Sequence, residues 1–176
     1  GAIRMGPFGS SLKKHVLMNE GKIKTIWIEN IVKNQFSLEY KKFITEEKYR
    51  ELKGFTVKPH DVLITMMGTL GKVAIVPEDI GTAIISSHLL KITLDTKRMT
   101  PEYLFYYLFS NNTSRQLIRE SRGIVMGGLN TKIIKSLLIT VPPINEQQKI
   151  TVTISNIDEL ISSYDYLPSN IYDNII

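Results

Sequence analysis

Cysteine is absent from this chain. That excludes a disulfide framework, a thiol nucleophile and any thiolate metal site, and it fits a reducing compartment such as the cytoplasm. No apolar run approaches the roughly 18 residues needed to span a bilayer, and no signal peptide is visible. Histidine is scarce: His15, His60 and His88 stand apart, and no metal-ligand spacing links them. The chain opens at Gly1 rather than methionine and enters at once into a strand-like stretch, so the expectation is that a native start has been trimmed. Its 176 residues give room for one domain with its own core plus an appendage.

Acidic residues are also short, and unevenly so. Residues 1–144 hold 21 Lys and Arg against 12 Asp and Glu, whereas residues 145–176 hold one Lys against five acids. A basic body followed by an acidic arm suits two different partners, a polyanion for the body and protein for the arm. The same excess can also serve solubility alone.

The usual catalytic signatures are missing or incomplete. No strand–Gly-rich–helix unit for a nucleotide cofactor is present. Gly68-Thr-Leu-Gly-Lys72 lacks the spacing and the Ser or Thr of a phosphate-binding P-loop. Pro142-Pro143 is flanked by Val141 and Ile144, which cannot accept bonds from a target amine or stack on an extruded base as an amino-methyltransferase requires. Ser87 and His88 are adjacent in an apparent strand, and their side chains are expected on opposite faces. A metal-dependent nuclease reading rests on Glu78, Asp79, Asp95 and Lys97, acids at strand ends with a lysine beside one of them. Those segments also read as ordinary turns with solvated charges. No cofactor is expected.

What is present is a strand-rich first half and a helical second half, an α+β body. Ile23–Ile28 with Trp27, Asp61–Met67, Lys72–Val76, Ala83–Ile85 and Leu89–Leu94 read as strands, the middle pair joined by Gly68-Thr69-Leu70-Gly71. Thr45 caps a short helix closed by Gly54, and Thr100-Pro101-Glu102 starts another with apolar Tyr103, Leu104, Tyr107 and Leu108. The aromatics Tyr103, Phe105, Tyr106, Tyr107 and Phe109 read as core at helical spacing. Ser114–Arg122 reads as a helix with Arg115, Arg119 and Arg122 along one stripe, either a solvated face or a phosphate-binding one. Thr131–Lys135 reads as one helical turn ahead of a strand at Leu137–Val141.

The richest segment comes last. After Pro142-Pro143, Asn145 reads as an N-cap with Glu146 in the first turn and Gln148 three residues on. The helix that follows carries Ile150, Ile154, Ile157, Ile161 and Tyr164 at alternating spacings of four and three, a heptad seam suited to packing along one partner helix. Packing back onto the chain's own body is the plainer alternative.

This segment, PP-x-x-EQ-x-x-I followed by ID-x-L, resembles the end of a target recognition domain in the DNA-specificity subunit of type I restriction-modification enzymes. Further stretches resemble that family in the same order: Gly6-Pro-Phe-Gly-Ser-Ser-Leu-Lys13, Asp61-Val-Leu-Ile-Thr65 with Gly68-Thr-Leu-Gly-Lys72, Ala74-Ile-Val-Pro77, Pro101-Glu-Tyr-Leu104 and Leu129-Asn130. The resemblance covers roughly residues 6–161.

It implies a subunit that does no chemistry itself and directs methyltransferase subunits and a restriction–translocase subunit to double-stranded DNA. Such subunits usually carry two recognition domains joined by antiparallel helical spacers, each domain reading half of a bipartite site. Here one recognition domain (residues 1–144) and one spacer arm (residues 145–176) are expected, either a fragment or a half-subunit that must pair. Pro168 departs from the longer charged helix of the family and is expected to interrupt the arm.

Lys13-Lys14, Lys22, Lys24, Lys41-Lys42, Lys72, Arg115, Arg119, Arg122, Lys132 and Lys135 are spread through the body. The loops Gly9-Ser10-Ser11 and Gly127-Gly128-Leu129-Asn130 each lie near lysines. Phosphate contacts position a protein on DNA, and base edges supply specificity. The residues expected to meet DNA are Ser10, Ser11, Lys13, Lys14, Lys72, Arg122, Asn130 and Lys132. Those expected to dock a subunit, or a second copy of the chain, are Ile150, Ile154, Ile157 and Ile161. No membrane association is expected.

Overall fold

The computed structural model describes residues 1–32, 34–68, 70–122 and 129–165. Strands β1 (Ala2–Met5), β2 (Ile23–Ile26), β3 (Ile31–Val32), β4 (Gln35–Phe36) and β5 (Phe43–Ile44) come first. Helix α1 (Glu46–Leu52) follows, then β6 (Val62–Thr65), β7 (Val73–Ile75), β8 (Ala83–Ile85) and β9 (Leu89–Thr93). The chain then turns helical, with α2 (Pro101–Phe109), α3 (Asn111–Arg122), α4 (Thr131–Ser136) and α5 (Ile144–Asp165). The expected α+β class is what the molecule adopts.

The larger sheet is antiparallel with order β1-β9-β6-β7. The smaller has order β5-β2-β8, with β2 and β8 parallel, and β3–β4 is a separate hairpin. Alternation along the strands sorts the core into layers. Val62, Ile64, Val73, Leu90 and Ile92 point from the larger sheet into a cluster with Leu104, Leu108, Leu117, Ile133 and Ile134 of α2, α3 and α4. Leu63, Ala74 and Leu89 point the opposite way, onto Ile26, Ala83 and Ile85 of the smaller sheet. Ile84, Ile23 and Ile44 pack with Leu52 of α1 and Leu12 on that sheet's far side. β6 is therefore buried on both faces, which explains its unbroken apolar run Val-Leu-Ile.

Helix starts follow the residues expected to make them. Thr45 accepts a hydrogen bond from the Lys48 N–H, and Thr100 from the Tyr103 N–H with Pro101 at the first helical position. One buried charge was not foreseen. The Lys91 ammonium lies 3.5 Å from the Asp61 carboxylate and donates to the Thr56 carbonyl at 2.7 Å. Asp61 also accepts from the Thr93 hydroxyl and the Lys58 N–H, so the pair is fully bonded where an unpaired charge would be costly.

Three expectations are corrected. Leu137–Val141 joins no sheet: it is extended, and every second carbonyl meets a side chain instead. The hydroxyls of Tyr107, Tyr103 and the amide of Gln147 donate to the carbonyls of Leu138, Thr140 and Pro142 at 2.7, 2.8 and 2.8 Å. Ser87 and His88 lie in the turn between β8 and β9, not in a strand. Asn145 is not an N-cap, because α5 begins one residue earlier and the Pro143 carbonyl accepts from the N–H groups of Glu146 and Gln147.

The side chain that fixes α5 is Gln147. It is fully buried; its amide donates to the carbonyls of Arg98 (2.9 Å) and Pro142, and its oxygen accepts the Thr100 N–H at 2.9 Å. The start of α2 and the start of α5 are thereby tied together. Farther along, Tyr106 of α2 and Asp158 of α5 line one groove. Burial first, then the Asp158 carboxylate as acceptor and charge and the Glu159 charge, push the Tyr106 phenol up to about 12. The phenol is held protonated in the fold, so the stability it contributes is fully present below the ordinary tyrosine range near pH 10 and lost as pH rises toward 12.

Replacing Gln147 by leucine keeps most of the volume and strands one N–H and two carbonyls. Chemical denaturation should show a loss on the order of 2–4 kcal/mol. Exposed Gln148→Leu should change stability by less than about 0.5 kcal/mol. Equal effects would show that Gln147 is not the tie.

Candidate nucleic-acid interface

β1 and β6 run parallel, and β9 runs against both. Met5 and Thr65 therefore finish at the end of the larger sheet where β9 begins, paired with Leu90 and Leu89. Four loops and the start of α4 meet at this end. The segment after β1 is pressed against the β8–β9 turn. Gly6 donates its N–H to the Leu89 carbonyl at 2.9 Å, and a Cβ on Gly6 would sit 1.8 Å from the Ser86 carbonyl oxygen. Only glycine permits so close an approach. Pro7 is buried behind the loop, and Leu12 anchors its far side in the core. Between them a 3-10 turn (Gly9–Leu12) is closed by the Ser11 N–H on the Phe8 carbonyl at 2.8 Å. Ser10 is exposed and Ser11 half-buried, and exposed Lys13 and Lys14 follow directly.

The β6–β7 loop belongs to the same end. Met66 donates its N–H to the His88 carbonyl at 2.9 Å and accepts from the Leu129 N–H at 3.1 Å. Lys72 opens the return strand, its N–H bonded to the Thr65 hydroxyl at 2.9 Å and its side chain half-buried. Next to Leu129, the Asn130 side-chain oxygen Oδ1 accepts from the N–H groups of Lys132 and Ile133 at 2.9 and 3.0 Å, which starts α4 with Lys132 exposed in its first turn. Asn130 is thus an N-cap, a role its sequence neighbours Thr131 and Lys132 fit. Its oxygen is committed to the backbone.

The loop carrying Ser10 and Ser11, the β6–β7 loop before Lys72, and the start of α4 with Asn130 and Lys132 thus meet at this end from three separated stretches of chain, and Lys13 and Lys14 follow the first of them. The side chain of Arg122 and residues 123–128, including Gly127-Gly128, lie outside the described residues. Arg115 and Arg119 are exposed on α3. Not every lysine of the body is free. Lys24 donates to the Ile80 carbonyl at 2.9 Å and covers the Tyr40 ring at 4.6 Å.

Residues outside the expected DNA-contact set also stand here. The Trp27 ring meets His88 edge-on with centroids 6.5 Å apart, and the Lys42 ammonium lies 4.0 Å above it. Glu29 is 3.8 Å from that ammonium. Phe8 stands almost wholly in solvent. Only the short Gly-Pro-Phe-Gly stretch hinted at a loop holding it.

The acids of the nuclease reading fall at the opposite end, beyond the ends of β7 and β9. Glu78 pairs with His60 at 2.7 Å, both exposed, and Asp95 accepts the Lys97 N–H at 3.2 Å within its own turn. Among the described residues no group of three or more His, Asp or Glu is placed to hold a metal ion.

The isoleucines of α5 divide. Ile150 and Ile154 are half-buried, whereas Ile157 and Ile161 are 50% and 55% exposed, with Val152 and Leu160 also exposed. The α5 side chains buried against the body are polar, Gln147 and Thr151, with Ser155 and Asp158 half-buried like Ile150 and Ile154. Tyr164 and residues 166–176, with Pro168, lie outside the described side chains.

The family model for the type I restriction modification DNA specificity domain matches residues 8–167. The chain is 26% identical over 149 residues to the type I restriction enzyme EcoBI specificity subunit of Escherichia coli, covering 85% of this chain and 31% of that protein. It is 29% identical over 93 residues to the HindI specificity subunit of Haemophilus influenzae, covering 52% of this chain and 20% of that one. The chain thus spans a third or less of the length of these curated relatives. Its fold is similar to the HsdS subunit from Thermoanaerobacter tengcongensis (TM-score 0.60, 16% identity, 92% of this chain and 36% of that one). It is also similar to the type I S subunit from M. genitalium (TM-score 0.57, 14% identity, 93% and 38%).

The bracing of the first loop is testable through its two glycines. Gly6→Ala should cost about 1–3 kcal/mol or more in urea denaturation, because the clash is with backbone. Gly9→Ala meets only the Ser87 hydroxyl at 3.9 Å and should change stability by less than about 0.5 kcal/mol. A neutral Gly6→Ala would show that the loop is not pinned to Ser86.

Proposed function

The chain belongs to the type I restriction modification DNA specificity family, and from that membership and the geometry of its loop-bearing end we propose that residues 1–144 recognise one half of a bipartite site on double-stranded DNA. The observation that supports this reading is that the loop Gly6–Leu12, the β6–β7 loop with Lys72, and the start of α4 with Lys132 are bonded together at one end of the larger sheet, with Lys13 and Lys14 following the first loop and Glu78, Asp79 and Asp95 at the sheet's other end. Such polarity orients a body toward a polyanion, and hydroxyls on rigid loops supply base-edge contacts once phosphates have set the register.

In this reading the chain is not itself a catalyst. It positions methyltransferase subunits, and through them a restriction–translocase subunit, on the DNA. Residues 145–176 are the docking arm. Its first turns are tied to the body through Gln147, and its exposed seam at Ile157 and Ile161 receives a partner helix, either another subunit or the arm of a second copy of this chain. An antiparallel pair of arms would set two recognition domains apart on one face of the DNA. The setting is the cytoplasm, where the DNA lies.

Duplex binding measured across salt concentrations, with and without magnesium, tests the body. Each lysine that contacts a phosphate steepens the salt dependence, so reversing Lys13, Lys14 and Lys72 to Glu should weaken binding to all sequences and reduce the slope of log K against log salt by about three. A triple variant that binds like the parent removes those lysines from the interface. Magnesium-dependent cleavage abolished by Asp95→Ala would replace the reading with a nuclease.

The arm is tested at Ile157 and Ile161, which are exposed enough to accept Asp without unfolding the chain. The double Asp variant should lose self-association in sedimentation, or capture of the methyltransferase subunit, because an unpaired charge buried at such a seam costs several kcal/mol. A parent chain that shows neither association leaves the arm without a docking role.

A further inference from the structure

Phe8 is 87% exposed, yet the backbone on both sides of it is held. Gly6 is pressed on Ser86, Pro7 is buried, Leu12 is 4% exposed in the core, and the Phe8 carbonyl closes the following 3-10 turn. The ring is presented by a rigid mount, not by a loose strand of chain. Around it in sequence stand two hydroxyls, Ser10 and Ser11, and two exposed ammonium groups, Lys13 and Lys14. A lone aromatic in water has no stabilising role for the fold, because burying such a ring is favourable and exposing it is not.

Resting on the DNA-recognition reading above, we propose that Phe8 is a stacking wedge that inserts between neighbouring bases at one step of the bound duplex. The positive charge of exposed Lys13 and Lys14 favours a negatively charged occupant over a neutral one, and the DNA-recognition reading makes that occupant the duplex. Proteins that unstack a base step use an apolar side chain fixed close to cationic and hydroxyl groups that hold the flanking phosphates. Side-chain entropy favours Phe here, since it has few torsions to freeze on insertion. The consequence is a preference for a deformable step, pyrimidine–purine before others, at the position beneath Phe8, even where no hydrogen bond reads that base pair.

The test uses the full chain, alone and with its modification subunits, on a duplex it selects from a random pool. 2-Aminopurine is placed at successive positions. Insertion should raise the fluorescence at one step, and Phe8→Ala should abolish that rise while lowering affinity about 5- to 150-fold, the range for losing one base–aromatic stack. The salt slope should stay unchanged, since no phosphate contact is lost, and Phe8→Trp should restore both affinity and the signal. An unchanged melting temperature in Phe8→Ala is expected from its exposure and keeps folding out of the comparison.

A parent that binds duplex with no unstacked step, or a Phe8→Ala variant that binds as tightly, overturns the wedge while leaving DNA recognition in place. Phe8→Ala that binds duplex normally but fails to capture the modification subunit assigns the ring to a protein contact and likewise overturns it. A parent that binds no duplex in either setting overturns the wedge and the DNA reading together.

Discussion

The turn Ser86-Ser87-His88 is the constraint on which the rest of the molecule hangs. It carries the chain from the smaller sheet to the larger one, so the two layers are stitched at one end by three residues. Ser86 donates its N–H to the Ile26 carbonyl at 2.8 Å, fixing the end of β2, and its own carbonyl is the wall against which Gly6 closes. His88 accepts the Met66 N–H and meets the Trp27 ring. Each of the other loops at that end is therefore positioned by the same turn, directly or through one intermediate. A face assembled from chain segments more than a hundred residues apart needs such a hub, because loops left to themselves would lose any binding energy to ordering.

Local signals were legible and non-local ones were not. Thr45, Thr100 with Pro101, and the apolar runs of β6 to β9 stood out because a cap or a buried strand writes its requirement into neighbouring residues. β5, two residues long, exists only because Phe43 and Ile44 pair with Lys24 and Ile23 of β2, and no short window of sequence contains that information; β3 and β4 pair locally with each other but are too short for alternation to show. Leu137–Val141 shows the converse. Its alternation is that of a strand, but Tyr103, Tyr107 and Gln147 satisfy its carbonyls, so extended backbone persists with no ladder. At the candidate interface the lysines and small polar residues could be named from sequence, whereas their convergence, and the commitment of Asn130 to capping, required the register of β1, β6 and β9.

The arm repeats this lesson in a different form. Its isoleucines are what a reader of heptads notices, yet the two α5 side chains buried against the body are polar, Gln147 and Thr151, and Ile150 and Ile154 are only half-buried. Gln147 can be buried here because it has three partners outside the helix, while the Thr151 and Ser155 hydroxyls donate to carbonyls of their own helix. Directional bonds fix the angle at which the helix leaves the body more tightly than apolar packing alone would, since a hydrogen bond weakens steeply with misalignment and hydrophobic contact does not. The spacer role proposed for this arm, setting the separation between two binding events, would gain from that stiffness.

Using polar residues against its own body also leaves the apolar ones for elsewhere. Ile157, Leu160 and Ile161 remain exposed on an acidic segment that follows a basic body, so the two ends of the molecule favour chemically different occupants. A basic seam would be drawn along the same polyanion as the loops, and like charge would hold two such arms apart or mis-seat them on DNA. With Asp158 and Glu159 on the arm and Lys13, Lys14 and Lys132 on the loop-bearing body, long-range electrostatics discourages the arm from competing for the phosphate backbone and leaves short-range apolar contact to choose its partner. In the proposed reading, the division of charge along the sequence is thus a specificity device: it would keep one surface for nucleic acid and one for protein within a single chain.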